Sequence, residues 1–423
     1  MAQQTYVPDD NFEAYLEANG MGNGIINDDY VTTSSIDTVP YLGISALNIS
    51  DLTGIEDFTT LTFLDCYDNQ LTSLDISQNA IDFLICYNNQ ITTINLNTDL
   101  YVLDCSNNNI TNLNVSANTN LTYLYCSSNQ LTNISLTTNT ALIDFRLEHN
   151  QFSNLDLSNN INLEYLNFYN NQLTLIDLSQ NSNLISLYAD ANSLIDIDLS
   201  NNPNLINVRI DDNLLSLLDL SYQDIQYVNC SNNQITDLII DSDSLQRLFC
   251  GNNPISIFDA TPHHNLEMLE IFNAGLFSID LSQNQNLWFL SIGSNPDLWS
   301  LDLSNNYNLE HLDLYSNSLS VLDMRNGNNQ NMSYFVSWQC WNSQYLECIS
   351  VDDSIYSTNN WTSIDPWQYF SNNCNPLAIQ EHTTNKELLK VTDLLGRETK
   401  GTKNEVLFYI YDDGTVEKRI VIE

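Results

Sequence analysis

The chain has 423 residues, with 53 acidic and 11 basic side chains and a formal net charge of −42 at pH 7. A surface this acidic repels nucleic acids and anionic membranes, and no apolar run approaches the length of a membrane span. We therefore expect a soluble protein that neither binds nucleic acid nor inserts into a membrane. The composition suits a saline exterior, a cationic partner or bound divalent cations.

The charges are distributed unevenly along the chain. Residues 381–423 hold seven of the basic residues and nine acidic ones, which leaves the first 380 residues with four arginines, no lysine and 44 acidic residues. This abrupt change in composition predicts a separate C-terminal segment.

Residues 1–35 are interpreted as an N-terminal cap. The AQQ that follows Met1 is typical of the N-terminus that remains after a secretory signal peptide has been cleaved. We therefore expect an exported chain whose signal peptide is absent from this sequence. In PDDNFEAYLEANGM, Asp9 or Asp10 at the N-cap and Gly20 at the end predict a short helix. Such a helix would cover the apolar edge of the first coil that follows it.

Residues 36–325 are built from a repeat of about 21 residues that reads LxxLxCxxNxLxxLDLSxNxx, and residues 121–141 are one copy. Its LxxLxC part alternates apolar and exposed residues, which predicts a short strand with one buried face. Because one coil cannot bury its own leucines, a stack of coils is needed to make the core. After an irregular copy at 36–58, regular copies begin at Leu61, Ile81, Leu100, Leu121, Leu142, Leu163, Leu184, Leu205, Ile225, Leu245, Leu266, Leu287 and Leu309.

An asparagine occupies the corner of nearly every coil, and Ala274 is the one exception among the regular copies. A buried amide can bond backbone groups of neighbouring coils, so we interpret this column as structural rather than as a metal or sugar site. The column is Asn69, Asn89, Asn108, Asn129, Asn150, Asn171, Asn192, Asn213, Asn233, Asn253, Asn295 and Asn317.

Six cysteines share the third apolar position of the strand, where other coils carry Leu, Phe, Ile or Ala. They are Cys66, Cys86, Cys105, Cys126, Cys230 and Cys250. This pattern predicts buried free thiols. The alternative, a ladder of metal ligands, is disfavoured because no histidine accompanies the cysteines and apolar residues replace them freely.

The repeat resembles the leucine-rich repeat, and specifically its nested 21-residue class (IRREKO), in which both halves read LxxLxL. The irregular first copy resembles that of internalin-like proteins. The resemblance implies a β-rich solenoid of about thirteen regular coils, with a parallel sheet lining the concave face, a short N-terminal helical cap and a small C-terminal β domain.

Residues 326–374 resemble a terminal capping segment of secreted members of this repeat group. The resemblance implies a disulfide between Cys348 and Cys374 that closes the open end of the core in an oxidising compartment. Cys340 would then be left over, and the sequence also allows it as the partner instead.

Residues 375–385 are a polar linker, and residues 386–423 resemble the type A C-terminal sorting domain of the Bacteroidetes type IX secretion system. The match to its V-x-D-x-x-G-R core and to its last strands is carried by Leu389, Val391, Asp393, Gly396, Arg397, Tyr409, Gly414, Lys418 and the closing 420–422. The earliest strands of that domain are either missing or degenerate in this sequence. The resemblance implies a tail that the type IX secretion machinery reads at the outer membrane, and hence a secreted or cell-surface protein.

The best catalytic constellation is Asp144, Arg146, Glu148 and His149, which we expect on the exposed side of one strand or its corner. Asp190, Arg209 and Asp211 follow two to three coils along. A carbohydrate-active enzyme of the polysaccharide lyase type is the alternative that this group suggests. We expect no enzyme and no catalytic residues, because nothing in the group supplies an activated base.

A binding function is favoured by the contrast between the two halves of the repeat. The strand half varies from coil to coil and carries outward aromatic and arginine residues, the side chains that anchor interfaces. We therefore predict that a protein or glycan binds the concave face. The predicted contact residues are Tyr123, Tyr125, Arg146, Tyr165, Tyr169, Tyr188, Arg209, Tyr227, Arg247 and Phe249. The competing interpretation is that tyrosine is simply a good residue for an exposed strand.

The DLSxN half is monotonous and places one aspartate of each coil in a column. A third hypothesis is a calcium-dependent structural or adhesive surface protein that uses this column, and we otherwise expect no metal and no cofactor. The column consists of Asp156, Asp177, Asp198, Asp219, Asp280, Asp302 and Asp323.

Overall fold

This computed structural model describes residues 3–337, 346–374, 388–392, 399, 406–411 and 416–420. The chain divides into two compact units, Met1–Asn372 and Asn373–Glu423. The first unit contains all of the repeats, and the second contains the lysine-containing C-terminal tail.

Fifteen parallel strands form the main sheet of the first unit, with one strand for each coil. Because the strands pair at the repeat spacing, Tyr123 lies beside Asp144 and Asp144 beside Tyr165. The middle residue of each strand is buried while its neighbours face outward, so the predicted solenoid with a parallel sheet is confirmed. The strands are Tyr41–Gly43, Phe63–Asp65, Phe83–Ile85, Val102–Asp104, Tyr123–Tyr125, Asp144–Arg146, Tyr165–Asn167, Ser186–Tyr188, Asn207–Arg209, Tyr227–Asn229, Arg247–Phe249, Met268–Glu270, Phe289–Ser291, His311–Asp313 and Tyr334–Val336.

The opposite wall has only short parallel sheets. Two of them have two strands each, Ser73–Asp75 with Thr93–Asn95 and Leu217–Leu220 with Asp237–Ile240. A third joins Ser300–Asp302, Val321–Asp323, Cys348–Ser350 and Tyr369–Ser371. The capping segment also contains the 3-10 turn Asn329–Asn331 and the helix Ser354–Asn360.

The N-terminal cap is the predicted helix, α1 (Asp10–Ala18), together with an antiparallel pair, Gln4–Tyr6 and Tyr30–Thr32. Asp9 is the N-cap, because its carboxylate accepts hydrogen bonds from the backbone N–H groups of residues 11 and 12. Phe12 and Leu16 are fully buried against the first coil. A short helix, Thr33–Ile36, and a 3-10 turn, Ile55–Asp57, complete this end.

The corner asparagines bond backbone groups of adjacent coils, as predicted. Asn171 is representative: its Nδ2 donates to the carbonyls of Leu147 and Phe168 at 3.1 Å, and its Oδ1 accepts from the N–H of Phe152 at 3.0 Å. The residue before each corner has a positive φ, 53° at Asn170, which suits the Asn, Asp and Ser common there.

A second polar ladder runs inside the DLSxN half, and the sequence interpretation missed it. Asn139 donates from Nδ2 to the carbonyls of Val115 at 2.9 Å and Asn118 at 2.8 Å. His263 takes this place in one coil, where it is buried and its Nδ1 lies 2.8 Å from the carbonyl of Ser242. The other amides of the ladder are Asn79, Asn97, Asn118, Asn160, Asn181, Asn202, Gln223, Asn284, Asn306 and Asn326.

The six cysteines of the strand column are free and buried, as predicted. Burial raises the pKa of each of these thiols, to about 12 at Cys230, so they stay protonated and unreactive. Cys348 and Cys374 are both disulfide-bonded. That these two are bonded to each other stays a prediction, and Cys340 lies outside the described residues.

The second unit contains a three-stranded antiparallel sheet formed by Leu388–Thr392, Val406–Tyr411 and Val416–Ile420. Val391 pairs with Tyr409, and Lys418 pairs with the neighbouring Phe408. Three residues of the predicted sorting motif, Val391, Tyr409 and Lys418, therefore lie on adjoining strands. Asp393, Gly396, Arg397 and Gly414 lie outside the described residues.

Candidate binding surface

The first and third residues of every main-sheet strand point away from the core, and we call the surface that they form the sheet face. Nine of the ten predicted contact residues lie at these positions, and Tyr169 follows its strand by two residues. Arg247 is exposed, whereas the other nine are half-buried because side chains on adjacent strands cover one another. The side chains point outward, as expected from the sequence, but the sequence did not predict how far they cover one another.

Arg146 is the most constrained cation of the sheet face. Its Nε and one Nη donate to the two carboxylate oxygens of Asp144 at 3.0 and 2.7 Å. Its guanidinium carbon lies 4.8 Å from the ring centre of Tyr125 and 4.5 Å from that of Tyr165. Two aromatic faces and a bidentate carboxylate therefore hold the guanidinium in one orientation.

Partial burial and the contacts with Asp144 change the pKa values of Tyr125, Tyr165 and Arg146. Burial, together with the nearby Asp144, raises the pKa of Tyr125 to about 12, and burial together with Tyr188 raises that of Tyr165 to about 12. The hydrogen bonds to Asp144 raise the pKa of Arg146 above its usual range. All three side chains thus keep their protons at physiological pH.

A shallow hollow of about 480 Å³ opens beside Arg146. Asp104, Tyr125, Glu148, His149 and Tyr169 line it, with several serines and asparagines. The ring of His149 lies edge-on to Tyr169 at 4.8 Å, and burial raises the pKa of the Asp104 carboxyl.

The predicted group of Asp144, Arg146, Glu148 and His149 is thus brought together, but not on an open surface. Asp144 is 8% exposed beneath Arg146 and also accepts a hydrogen bond from the Tyr125 hydroxyl at 3.2 Å. The expectation of an exposed carboxylate was wrong, because the arginine two residues on folds over it. Both oxygens of the Asp144 carboxylate already accept hydrogen bonds from Arg146.

Arg209 forms a second charged group three coils along the sheet face. Its Nη donates to Asp190 at 3.2 Å, and its Nε lies 4.0 Å from an oxygen of Asp211. Asp190 is 4% exposed, so two carboxylates share one guanidinium in a poorly solvated place. Burial and the charge of Asp190 raise the pKa of Asp211 to about 6.

Aromatic contacts extend this surface beyond the predicted residues. Successive ring centres along Tyr41, Phe63, Phe83, Tyr101 and Tyr123 are separated by 5.0, 5.7, 5.8 and 5.7 Å. Four of these five were not among the predicted contacts, although the repeat spacing places them on consecutive coils. At the other end, the rings of Phe289, His311 and Tyr334 stack at 4.3 and 4.2 Å.

The aspartate column lies on the opposite wall and has a local structural role. In Asp198 one carboxylate oxygen accepts from the N–H of Ser200 at 2.9 Å, and hydrogen bonds with that serine lower the pKa of the aspartate. The same turn recurs at Asp156, Asp177, Asp219, Asp280 and Asp302. The DLS motif therefore forms a turn in which the aspartate carboxylate accepts a hydrogen bond from the backbone N–H of the serine.

No protein-family model and no curated protein matches the chain. Among solved structures, the functional domain of InlJ from Listeria monocytogenes, which includes a cysteine ladder, is 27% identical with a TM-score of 0.66. That similarity covers 83% of this chain and 76% of the InlJ chain.

Two further structures share the architecture. The leucine-rich effector YopM from Yersinia pestis is 21% identical with a TM-score of 0.53, over 66% of this chain and 89% of its own. The plant peptide hormone receptor RGFR1, solved in complex with RGF2, is 19% identical with a TM-score of 0.50, over 67% and 60%. The fold is therefore that of leucine-rich repeat proteins. Within the described residues, no helix has both the length and the apolar character needed to cross a membrane.

Proposed function

We propose that this chain is a recognition protein that binds a protein ligand across the sheet face. The observation that carries the proposal is the continuous run of partly exposed aromatic rings over five consecutive coils, from Tyr41 to Tyr123. The Arg146 group follows directly on the next strands. Aromatic and arginine side chains contribute most to protein interfaces when they are held in place before binding.

The electrostatics and the fold support a protein ligand. The first 380 residues carry four arginines and 44 acidic residues, so a partner with a basic surface would be attracted. RGFR1, a peptide hormone receptor solved with RGF2, is built on the same fold. A glycan that stacks on the tyrosines is the alternative ligand class, and a glycan array separates the two.

We do not expect catalysis at this surface. Asp144 is held by Arg146 and Tyr125, so it is not available as a base to a substrate. No reducing-sugar release is expected when the full chain is incubated with polysaccharides.

The binding proposal is tested by selecting ligands for the full chain from a displayed protein library and from a glycan array. Replacing Tyr101 with alanine should weaken binding of the selected protein by about tenfold or more, because the variant removes the ring that joins Phe83 to Tyr123 in the aromatic run. Tyr222→Ala is the matched control, since Tyr222 is 62% exposed and lies outside the main sheet. Loss of affinity in Tyr222→Ala alone would show that the binding site lies outside the sheet face. Binding to glycans without binding to any protein would show that the ligand is a glycan.

The C-terminal tail, residues 386–423, is proposed to direct export by a type IX secretion system, to the medium or to the cell surface. Its support is the sequence resemblance of residues 386–423, together with the paired strands that carry Val391, Tyr409 and Lys418. Deleting residues 375–423 should retain the protein in the periplasm of a type IX-competent cell that exports the full chain. Equal secretion of both forms would refute this role.

A further inference from the structure

Three carboxylates meet in the N-terminal cap, away from the sheet face. Asp10, Glu13 and Asp29 each bring one oxygen to within 4.8 Å of the others. Among the residues that the structure describes, no other group of three His, Cys, Asp or Glu side chains comes this close. Asp10 and Glu13 lie one turn apart on α1, and Asp29 lies in the segment that returns to the helix.

Glu13 is fully buried, yet half of its carboxylate has no partner. Its Oε1 accepts from the N–H of Asp28 at 3.1 Å, whereas its Oε2 has no hydrogen-bond partner in the structure. An unpaired buried carboxylate oxygen is unfavourable, and two further carboxylates beside it add like-charge repulsion.

The other acidic side chains of this segment are already satisfied. Glu17 accepts from the N–H groups of Asn23 and Gly24, and Asp28 accepts from the side chain of Asn23 and from the N–H of Tyr30. Among the carboxylates of residues 9–29, the oxygens left without a hydrogen bond belong to the trio.

No side chain nearby in the sequence can neutralise this charge. The first 145 residues contain no lysine, arginine or histidine. Three oxygen ligands and an uncompensated negative charge form the environment that hard divalent cations require, and calcium tolerates the irregular geometry that such a loop provides.

We propose that Asp10, Glu13 and Asp29 bind a calcium ion that joins α1 to the returning segment 22–29. The ion would supply the missing partner of Glu13 Oε2 and cancel the repulsion among the three carboxylates. It would thereby fasten the cap that covers the first coil of the solenoid. The site is separate from the aspartate column considered on sequence grounds and does not depend on the proposed binding function.

The test compares Ca²⁺ titrations of the EDTA-treated full chain and its variants by calorimetry and by thermal unfolding. Calcium should raise the Tm of the wild-type chain by about 2 °C or more. Asp29→Asn should lower the affinity of the tight site by about tenfold or more and remove that shift. Asp198→Asn, in the aspartate column, should behave like the wild type.

Glu13→Gln gives a result that a purely structural carboxylate would not give. In EDTA this variant should be as stable as the wild-type chain or more so, because one of three repelling charges is gone. In calcium it should be the less stable of the two. Equal calcium shifts in the wild-type chain, Asp29→Asn and Glu13→Gln, or loss of the shift in Asp198→Asn alone, would overturn the proposal. A Mg²⁺ titration that matches the Ca²⁺ affinity would reassign the ion.

Discussion

Replacing Asn171 with alanine is expected to lower the free energy of unfolding by about 3 kcal/mol. The side chain satisfies two carbonyls, those of Leu147 and Phe168, and one N–H, that of Phe152. These groups belong to two adjacent coils, and all three hydrogen bonds are buried. The variant therefore loses three buried hydrogen bonds and leaves the N–H of Phe152 unpaired, whereas the two carbonyls each keep one amide donor, Asn150 and Asn192.

The effect is measured by denaturant unfolding followed by circular dichroism. Asn159→Ala is the matched control in the preceding coil, because Asn159 is exposed and its Nδ2 lies 3.4 Å from the hydroxyl of the adjacent Ser158. The control should stay within about 0.5 kcal/mol of the wild-type chain. Similar losses in both variants would mean that the corner amide does not hold the coils together.

The second large effect is expected for Arg209→Ala, which should cost about 3 kcal/mol at pH 7. From sequence alone Arg209 is an outward side chain whose loss changes stability little. The structure leads to the opposite expectation, because the variant would leave Asp190 and Asp211 facing each other without a cation.

The cost should depend on pH in a definite direction. The pKa of Asp211 in the folded chain is about 6, above its ordinary value, so between these two values the folded state binds more protons than the unfolded state. The stability associated with this carboxyl is therefore fully present at low pH and is lost as the pH rises through 6. Removing the favourable charge of Arg209 raises the pKa of Asp211 further, so the deficit of the variant should shrink when the pH falls from about 7 to about 5.

Thermal unfolding at these two pH values checks the prediction. Arg247→Ala is the control, because Arg247 is exposed on the same face and forms no salt bridge within the described residues. Adding Asp211→Asn to Arg209→Ala should restore much of the stability at pH 7. A deficit that is the same at both pH values and in the double variant would show that repulsion between the carboxylates is not its cause.

The period of the sequence predicted much of the architecture, because one short strand per coil and one buried middle residue follow directly from LxxLxC. It also placed Tyr123, Asp144 and Tyr165 in adjoining positions of one row. The residues of the aspartate–serine turns and of the second amide ladder recur from repeat to repeat in the sequence. A recurring asparagine does not by itself show whether its amide is buried or exposed.

The features that the sequence did not predict depend on contacts between separate segments of the chain. Asp144 is buried because Arg146 folds back over it between two rings from neighbouring strands. The carboxylate trio of the cap was missed because Asp29 reaches Asp10 and Glu13 only after the chain reverses. Neither arrangement leaves a periodic signal.

The central claim, that ligand is bound on the sheet face, is tested most directly by hydroxyl-radical footprinting of the full chain with and without a selected ligand. Aromatic side chains report both walls in one experiment. Tyr165 lies on the sheet face, and the ring of Tyr101 contacts the sheet-face rings of Phe83 and Tyr123. Tyr222, Trp299 and Tyr307 are exposed and lie outside the main sheet. We expect the ligand to protect Tyr101 and Tyr165 from oxidation and to leave the oxidation of Tyr222, Trp299 and Tyr307 unchanged. Protection of Tyr222, Trp299 or Tyr307 with unchanged oxidation of Tyr101 and Tyr165 would contradict it.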